Sequence, residues 1–219
     1  MTEQTTPTGK TQRDGDTERR ILDAARQVFM RRGTAGARMQ EIAEEAGVNQ
    51  ALLHYYFRSK DGLAAAVFRE AAGRFLPAIG QLMGSDLPLA DKVERFVNLY
   101  VGMVRQNPHI PGYVVSELHH HPERMPDLMA QAIGLSPRGF ADLFLGKLRQ
   151  QLEEGAARGT LRRIEAEQFL VNLFGLVMFP FIARPMLTAV LALDEDGFDR
   201  FIEQRRVELP RFILDSIRP

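Results

Sequence analysis

The periodic apolar patterns in this chain repeat at intervals of three and four residues, and none alternates convincingly with period two. That spacing places apolar side chains on one face of a helix and on both faces of a strand, so the backbone is directed to a single class of regular structure. β-Branched residues are scattered and the hairpin dipeptide Asn-Gly is absent, which leaves all-α as the expected fold class. With 219 residues, 45% of them hydrophobic, the chain can build one or two domains with a proper core. It has no cysteine, which removes disulfides, thiolate metal sites and cysteine nucleophiles. The first eighteen residues are polar, without the apolar core of a signal peptide, and the longest apolar stretch, residues 169–183, carries Asn172 and is too short for a membrane span. A cytoplasmic protein with no membrane partner is expected.

Residues 1–16 are rich in Thr, Gln, Gly and charge without an apolar period, and are read as a disordered arm. From Thr17, Ile21, Leu22, Ala25, Val28 and Phe29 share one helical face, and Gly33 offers the stop. A second, shorter helix carries Met39, Ile42, Ala43 and Ala46 and stops at Gly47. Asn49 can then cap a third, in which Leu53, Tyr56 and Phe57 face inward while Gln50, Ala51, His54 and Tyr55 face outward. The stretch from Lys60 reads as a long alanine-rich connecting helix, kinked or ended near Pro77. Further helical patterns lie at about 89–106, 111–121, 124–133, 137–158, 165–183 and 197–216. The expected domains are therefore 17–60 and 61–219, after the arm.

Net charge is zero, yet residues 19–60 hold eight basic side chains and four acidic ones, so a basic N-terminal segment is joined to a mildly acidic body. Within that segment two short helices meet at Ala46-Gly47-Val48-Asn49, with the spacing of a helix-turn-helix. Ala43 lets the two backbones approach, Gly47 accepts a left-handed turn, and Val48 and Leu53 fix the angle that pushes the third helix outward. A helical corner in an enzyme can reproduce this spacing, so the pattern alone leaves DNA binding open.

Residues 17–68, TERRILDAARQVFMRRGTAGARMQEIAEEAGVNQALLHYYFRSKDGLAAAVF, resemble the DNA-binding domain of the TetR family of transcriptional regulators. The similarity spans helix one, the helix-turn-helix IAEEAGVNQALLHYYF and the SKDGL that opens the connecting helix. It implies a three-helix DNA-binding domain linked by a long helix to a helical C-terminal domain that binds a ligand and dimerises. Carried onto this sequence, the family's base-facing and phosphate-facing positions fall on Gln40, Asn49, Gln50, Ala51, Leu52, His54, Tyr55, Tyr56 and Lys60. Gln50 suits adenine, Leu52 a thymine methyl, and Tyr55, Tyr56 and Lys60 suit phosphates near the start of the fourth helix. Arg38 stands where the family often has Thr and His54 where Tyr is frequent, so capping and one phosphate contact are expected to differ.

In the body, Phe96, Tyr100, Met103, Tyr113, Phe140, Phe144, Phe174 and Met178 are suited either to lining an apolar cavity or to filling a plain core. The resemblance implies some pocket there. Residues 165–183 are apolar on nearly all sides, which calls for burial on more than one face. With residues 198–214 they look like the two helices that in the family form a four-helix bundle across a two-fold axis, with Phe169, Leu173, Leu176, Phe201 and Phe212 as candidate seam residues. The alternative is monomer core. His119, His120 and His121, near Glu117 and Glu123, are the one concentration of possible metal ligands, but consecutive helical side chains point about 100° apart. A solvated helix end, or one histidine hydrogen-bonding a pocket ligand, is preferred to a metal site; Glu117 and His120 are the candidate ligand contacts here, and no metal or cofactor is expected.

The sequence therefore reads as a TetR-like regulator, a repressor released from a palindromic operator by a small apolar or amphipathic effector. A metal-responsive regulator using His119–His121 is the first alternative. An all-α enzyme is the second; it lacks a catalytic triad, a phosphate loop and paired carboxylates in a catalytic setting.

Overall fold

The computed structural model describes residues 8–108, 110–120, 122–124, 126, 130, 134 and 136–219. All regular structure among them is helical: α1 (Thr8–Gly36), α2 (Met39–Glu45), α3 (Gln50–Tyr56), α4 (Lys60–Gly84), α5 (Leu89–Gln106), α6 (Ile110–His120), a single 3-10 turn at Pro122–Arg124, α7 (Pro137–Ala157), α8 (Ala166–Ile182), α9 (Arg184–Val190) and α10 (Glu195–Asp215). The pattern read at 124–133 lies largely outside the described residues. The chain divides into two compact units, residues 1–71 and 72–219. The division falls inside α4.

α1 begins at Thr8, so residues 8–16 of the expected arm are the first turns of a helix. A helix nucleated on the packed face of Ile21, Ala25, Val28 and Phe29, all buried, extends back through Lys, Gln and Arg residues that favour it. Its regular part stops at Gly33, whose φ of 67° and ψ of 165° interrupt the helix before a last turn to Gly36. The first unit also buries Ile42 and Ala43 of α2, Leu53 of α3 and Leu63 and Val67 of α4.

α4 passes through Pro77 without ending. The ring removes one backbone hydrogen bond, and the helix continues because Ile79 and Met83 beyond it are buried in the core of the second unit. That core is built on α5, whose Val93, Phe96, Val97, Tyr100, Val101 and Val104 recur at helical spacing and are all buried. Phe144, Leu148 and Leu152 of α7, Phe169, Leu173 and Val177 of α8, and Phe198, Ile202, Leu209 and Ile213 of α10 complete it. α8 ends at Ala183, which leaves helical geometry at φ −93° and ψ 16°, and Pro185 enters the first turn of α9. Proline is well suited to that position because its missing N–H is unneeded there. α9 turns 72° away from α8, a short helix that periodicity alone did not reveal. No single helix among the described residues is long and apolar enough to cross a membrane.

Among the described residues, Lys92 is a charged side chain that is fully buried in this unit. Lys92 donates from Nζ to the Met83 carbonyl at 2.6 Å, near the end of α4. Burial lowers its pKa, the nearby Lys147 ammonium adds to the effect, and Asp86 opposes it. Lys147 pairs with Asp86 at 2.6 Å and holds that carboxyl below its usual range. Gln151 Nε2 donates to the Leu87 carbonyl at 2.7 Å. The end of α4 is thus fastened to α5, and the turn that follows it to α7.

Candidate nucleic-acid interface

The geometry of α2 and α3 is set mainly by the backbone between them. Gly47 has a φ of 64°, a left-handed conformation that costs glycine little. Its N–H donates to the Glu44 carbonyl at 3.1 Å, and Val48 N–H reaches the Ala43 carbonyl at 3.0 Å. This pair of bonds is the Schellman closure of a helix end. Two residues on, Asn49 caps α3, its Oδ1 accepting from Leu52 N–H at 2.7 Å. Ala43, with no side chain beyond Cβ, is buried. Both helices are only seven residues long, so these caps satisfy a large share of their otherwise orphaned backbone groups.

α3 is held by Leu53, with Phe57 buried just after it. Its opposite face presents Gln50, Ala51, His54 and Tyr55, all exposed; Tyr55 is 78% exposed. An aromatic ring so far out of a short helix contributes little to the fold and is available to a partner. Leu52 and Tyr56 are half-buried. The rings of Tyr55 and Tyr56 meet edge to face with centroids 5.4 Å apart, and Tyr56 Oη donates to Asp14 Oδ1 at 3.2 Å. Asp14 had been placed in the arm, and its part here becomes visible only once α1 is seen to begin at Thr8.

Charge is sorted in the same region. Arg31 pairs with Glu45 at 2.7 Å and Arg32 with Glu41 at 3.0 Å, joining α1 to α2 and neutralising two of the three α2 carboxylates. The third, Glu44, accepts from Gln40 Nε2 at 3.0 Å. Among the described residues Arg19, Arg20, Arg38 and Arg58 have no ion-pair partner, and all four are exposed. Arg38 precedes α2 at its N-cap and provides no side-chain cap, as expected where a Thr is replaced by Arg. These free guanidinium groups give the module its available positive charge, and Arg19, Arg20 and Arg58 were not among the expected contacts.

Lys60 is engaged within the protein. Two of its three Nζ donors reach the carbonyls of Ala35 at 3.1 Å and Ala37 at 3.2 Å. The lysine ties the start of α4 to the turn between α1 and α2, leaving at most one donor for a phosphate. Ser59 Oγ accepts from Gly62 N–H at 3.0 Å and closes the first turn of α4.

Within the second unit, the expected pocket residues Phe96, Tyr100, Tyr113 and Phe144 are buried, and Met103, Phe174 and Met178 are partly so. Phe96 packs at a tilt against Phe174 with centroids 4.7 Å apart, and Tyr100 meets Phe75 at 5.4 Å and Phe181 at 5.7 Å. Burial pushes the Tyr100 phenol well above its ordinary pKa. The side chains of Glu117, His120 and Phe140, and the whole of His121, lie outside the described residues. His119 is exposed, and no group of three or more metal-capable side chains occurs among the described residues.

The candidate seam residues differ in exposure within the single chain. Phe169 and Leu173 are buried in the core of the chain itself, Leu176 and Phe201 pack partly against it, and only Phe212 is well exposed. The apolar side chains that α8 turns outward are Val171, Phe179 and Ile182, and on α10 they are Val207 and Phe212. A helix apolar on all sides carries no phase, so periodicity does not reveal which stripe the chain keeps for itself.

Residues 21–67 match the family described as bacterial regulatory proteins, tetR family. The chain is 26% identical over 223 residues to the HTH-type transcriptional regulator RutR of Escherichia coli O157:H7, covering 97% of this chain and 96% of that one. It is 29% identical over 175 residues to an HTH-type transcriptional repressor of Mycobacterium tuberculosis, covering 80% and 77%. Among solved structures, a TetR family transcription regulator from Marinobacter aquaeolei shares the fold with a TM-score of 0.63 at 17% identity, over 95% of this chain and 98% of that one. The fatty acid degradation regulator FadR from Bacillus halodurans does so at 0.59 and 19%, over 97% of each.

Proposed function

The chain belongs, through its N-terminal helix-turn-helix domain, to the TetR family of bacterial regulatory proteins, and from that premise we propose that this DNA-binding transcriptional regulator is a homodimeric repressor released from a palindromic operator by a small apolar or amphipathic effector. The observation that carries the reading is the face of α3, where Gln50, His54 and Tyr55 stand clear of a helix anchored by Leu53. Gln50 can bond adenine in the major groove, and Tyr55 and the free arginines can take phosphates. In this reading residues 17–60 contact DNA and residues 61–219 sense the effector and pair the subunits.

Repression is supported by the mycobacterial relative's description as a repressor. An effector with an apolar part is supported by the aromatic cluster of Phe96, Tyr100, Phe174 and Phe181. The outward stripes of α8 and α10 support a two-fold dimer, whose two α3 helices read half-sites a helical turn or a multiple apart. α4, which belongs to both units, is the element through which the effector shifts that spacing.

Selection from random duplex DNA with the purified protein tests this. An enriched palindrome, bound as a dimer with strong salt dependence, is expected. If no sequence is enriched even after bound small molecules are removed by denaturation and refolding, the reading is wrong.

A further inference from the structure

Tyr56 enters DNA binding with its hydroxyl already engaged. Its Oη donates at 3.2 Å to Asp14 Oδ1, a contact between residues 42 apart in sequence. Burial, the Asp14 hydrogen bond and the charges of Asp14 and Glu18, together with Tyr55, raise the phenol's pKa. Asp14 and Glu18 are one helical turn apart on α1, so the N-terminal turns of that helix set negative charge beside a side chain suited to a phosphate. This placement differs from that of Glu41 and Glu45 on α2, which are neutralised by Arg32 and Arg31.

A phenol has a single O–H to give. While Asp14 holds it, it is not available to DNA, and a phosphate that reaches Tyr56 comes within a few ångströms of a carboxylate of its own sign. We propose that Asp14 is a positioning residue that lowers DNA affinity by competing with the phosphate backbone for the Tyr56 hydroxyl, so that binding requires the N-terminal turns of α1 to release Tyr56. The inference rests on α3 being the DNA-contacting helix. Because the competition concerns a phosphate, it acts on every duplex and leaves base preference alone.

The test uses the full chain and its Asp14→Asn, Asp14→Ala, Tyr56→Phe and Asp14→Ala/Tyr56→Phe variants. Each is titrated with a selected operator and a random-sequence duplex across about 50 to 200 mM salt. Asp14 is exposed, and Asp14→Asn keeps a hydrogen-bond acceptor while removing the charge. Asp14→Ala is expected to bind both duplexes about threefold to tenfold more tightly at low salt, with Asp14→Asn between it and the parent. The salt dependence steepens by up to about one unit of slope as a charge opposing the DNA is removed. In the Tyr56→Phe background the gain shrinks, because the two residues act through one bond.

Unchanged or weaker binding by Asp14→Ala, or a gain undiminished in the Tyr56→Phe background, overturns the proposal while leaving DNA binding intact. A parent protein that binds neither duplex at the lowest salt overturns both.

Discussion

The two units leave opposite chemistry on their outward helix faces. In the first, α2 and α3 are seven residues each, yet their arrangement is closed by the Gly47 turn, the Asn49 cap and two arginine pairs reaching across from α1. With the geometry settled by these groups, the outer face of α3 is free to be polar and to carry Gln50, His54 and Tyr55. In the second, α8 and α10 are long helices of 17 and 21 residues that keep Val171, Phe179, Val207 and Phe212 outside. A polar outward face suits a partner met and released in water. An apolar one suits a partner kept.

The largest effect should come from contradicting the apolar face. Val207, 71% exposed in the single chain, is expected to lie at the subunit contact, so Val207→Asp places a carboxylate there twice, once per subunit. The dimer should weaken about a thousandfold by sedimentation equilibrium while each chain stays folded. Leu173→Asp, on the same pair of helices but with no exposure, should instead unfold the second unit. If Val207→Asp remains a full dimer, the copies meet elsewhere and the contrast between the units fails.

On the polar face, Gln50→Ala should cost roughly 1–3 kcal/mol of discrimination at one base pair while leaving melting within about 0.5 kcal/mol of the parent. Affinities across operator variants measure it, and equal losses on operator and random DNA would remove Gln50 from base reading. Lys60→Met sharpens the comparison from inside the module. With Nζ bonded to Ala35 and Ala37, its removal should take about 1–2 kcal/mol from the first unit in the absence of DNA. A normal melt combined with a shallower salt dependence would instead assign Lys60 to a phosphate.

What the sequence revealed differs between these positions for physical reasons. Gly47 and Asn49 act on backbone groups a few residues away, so their jobs were legible from spacing, as was the burial of Leu53 against the exposure of Tyr55. Lys60 finds Ala35 and Ala37 only because α1 breaks at Gly33 and the chain turns back, a consequence of tertiary geometry. Asp14 was hidden because polar segments lack a period, and its helix is carried by the packed turns that follow. The burial of Phe169 and Leu173 and the exposure of Val171 and Phe179 were not legible because an apolar helix admits several inward phases. The division of the chain inside α4, and the turn into α9, likewise depend on what packs against what.

Lys92 offers the smallest and most diagnostic comparison with Lys60, since both ammonium groups sit on backbone carbonyls, one at each end of α4. Lys60 is half-buried and Lys92 has no exposure, and burial lowers the Lys92 pKa from its ordinary 10.5. The unfolded chain therefore holds the Lys92 proton more tightly than the folded one, so the fold carries the full desolvation penalty below the folded pKa. The penalty fades as pH rises from that value toward 10.5. Lys92→Met removes the buried charge and also the bond to the Met83 carbonyl, two changes that oppose each other. The net shift in Tm at pH 7 should be only about 2–4 °C in either direction. Its pH dependence has a definite sign: the variant's Tm relative to the parent should fall as pH is raised from about 7 to about 10, because only the parent gains from losing its proton. Thermal melts of the two proteins at matched salt measure this difference. A gap that stays constant over that range would mean the parent keeps its ammonium throughout, and that the Met83 carbonyl and the Asp86 charge compensate burial far better than the geometry around Lys92 implies.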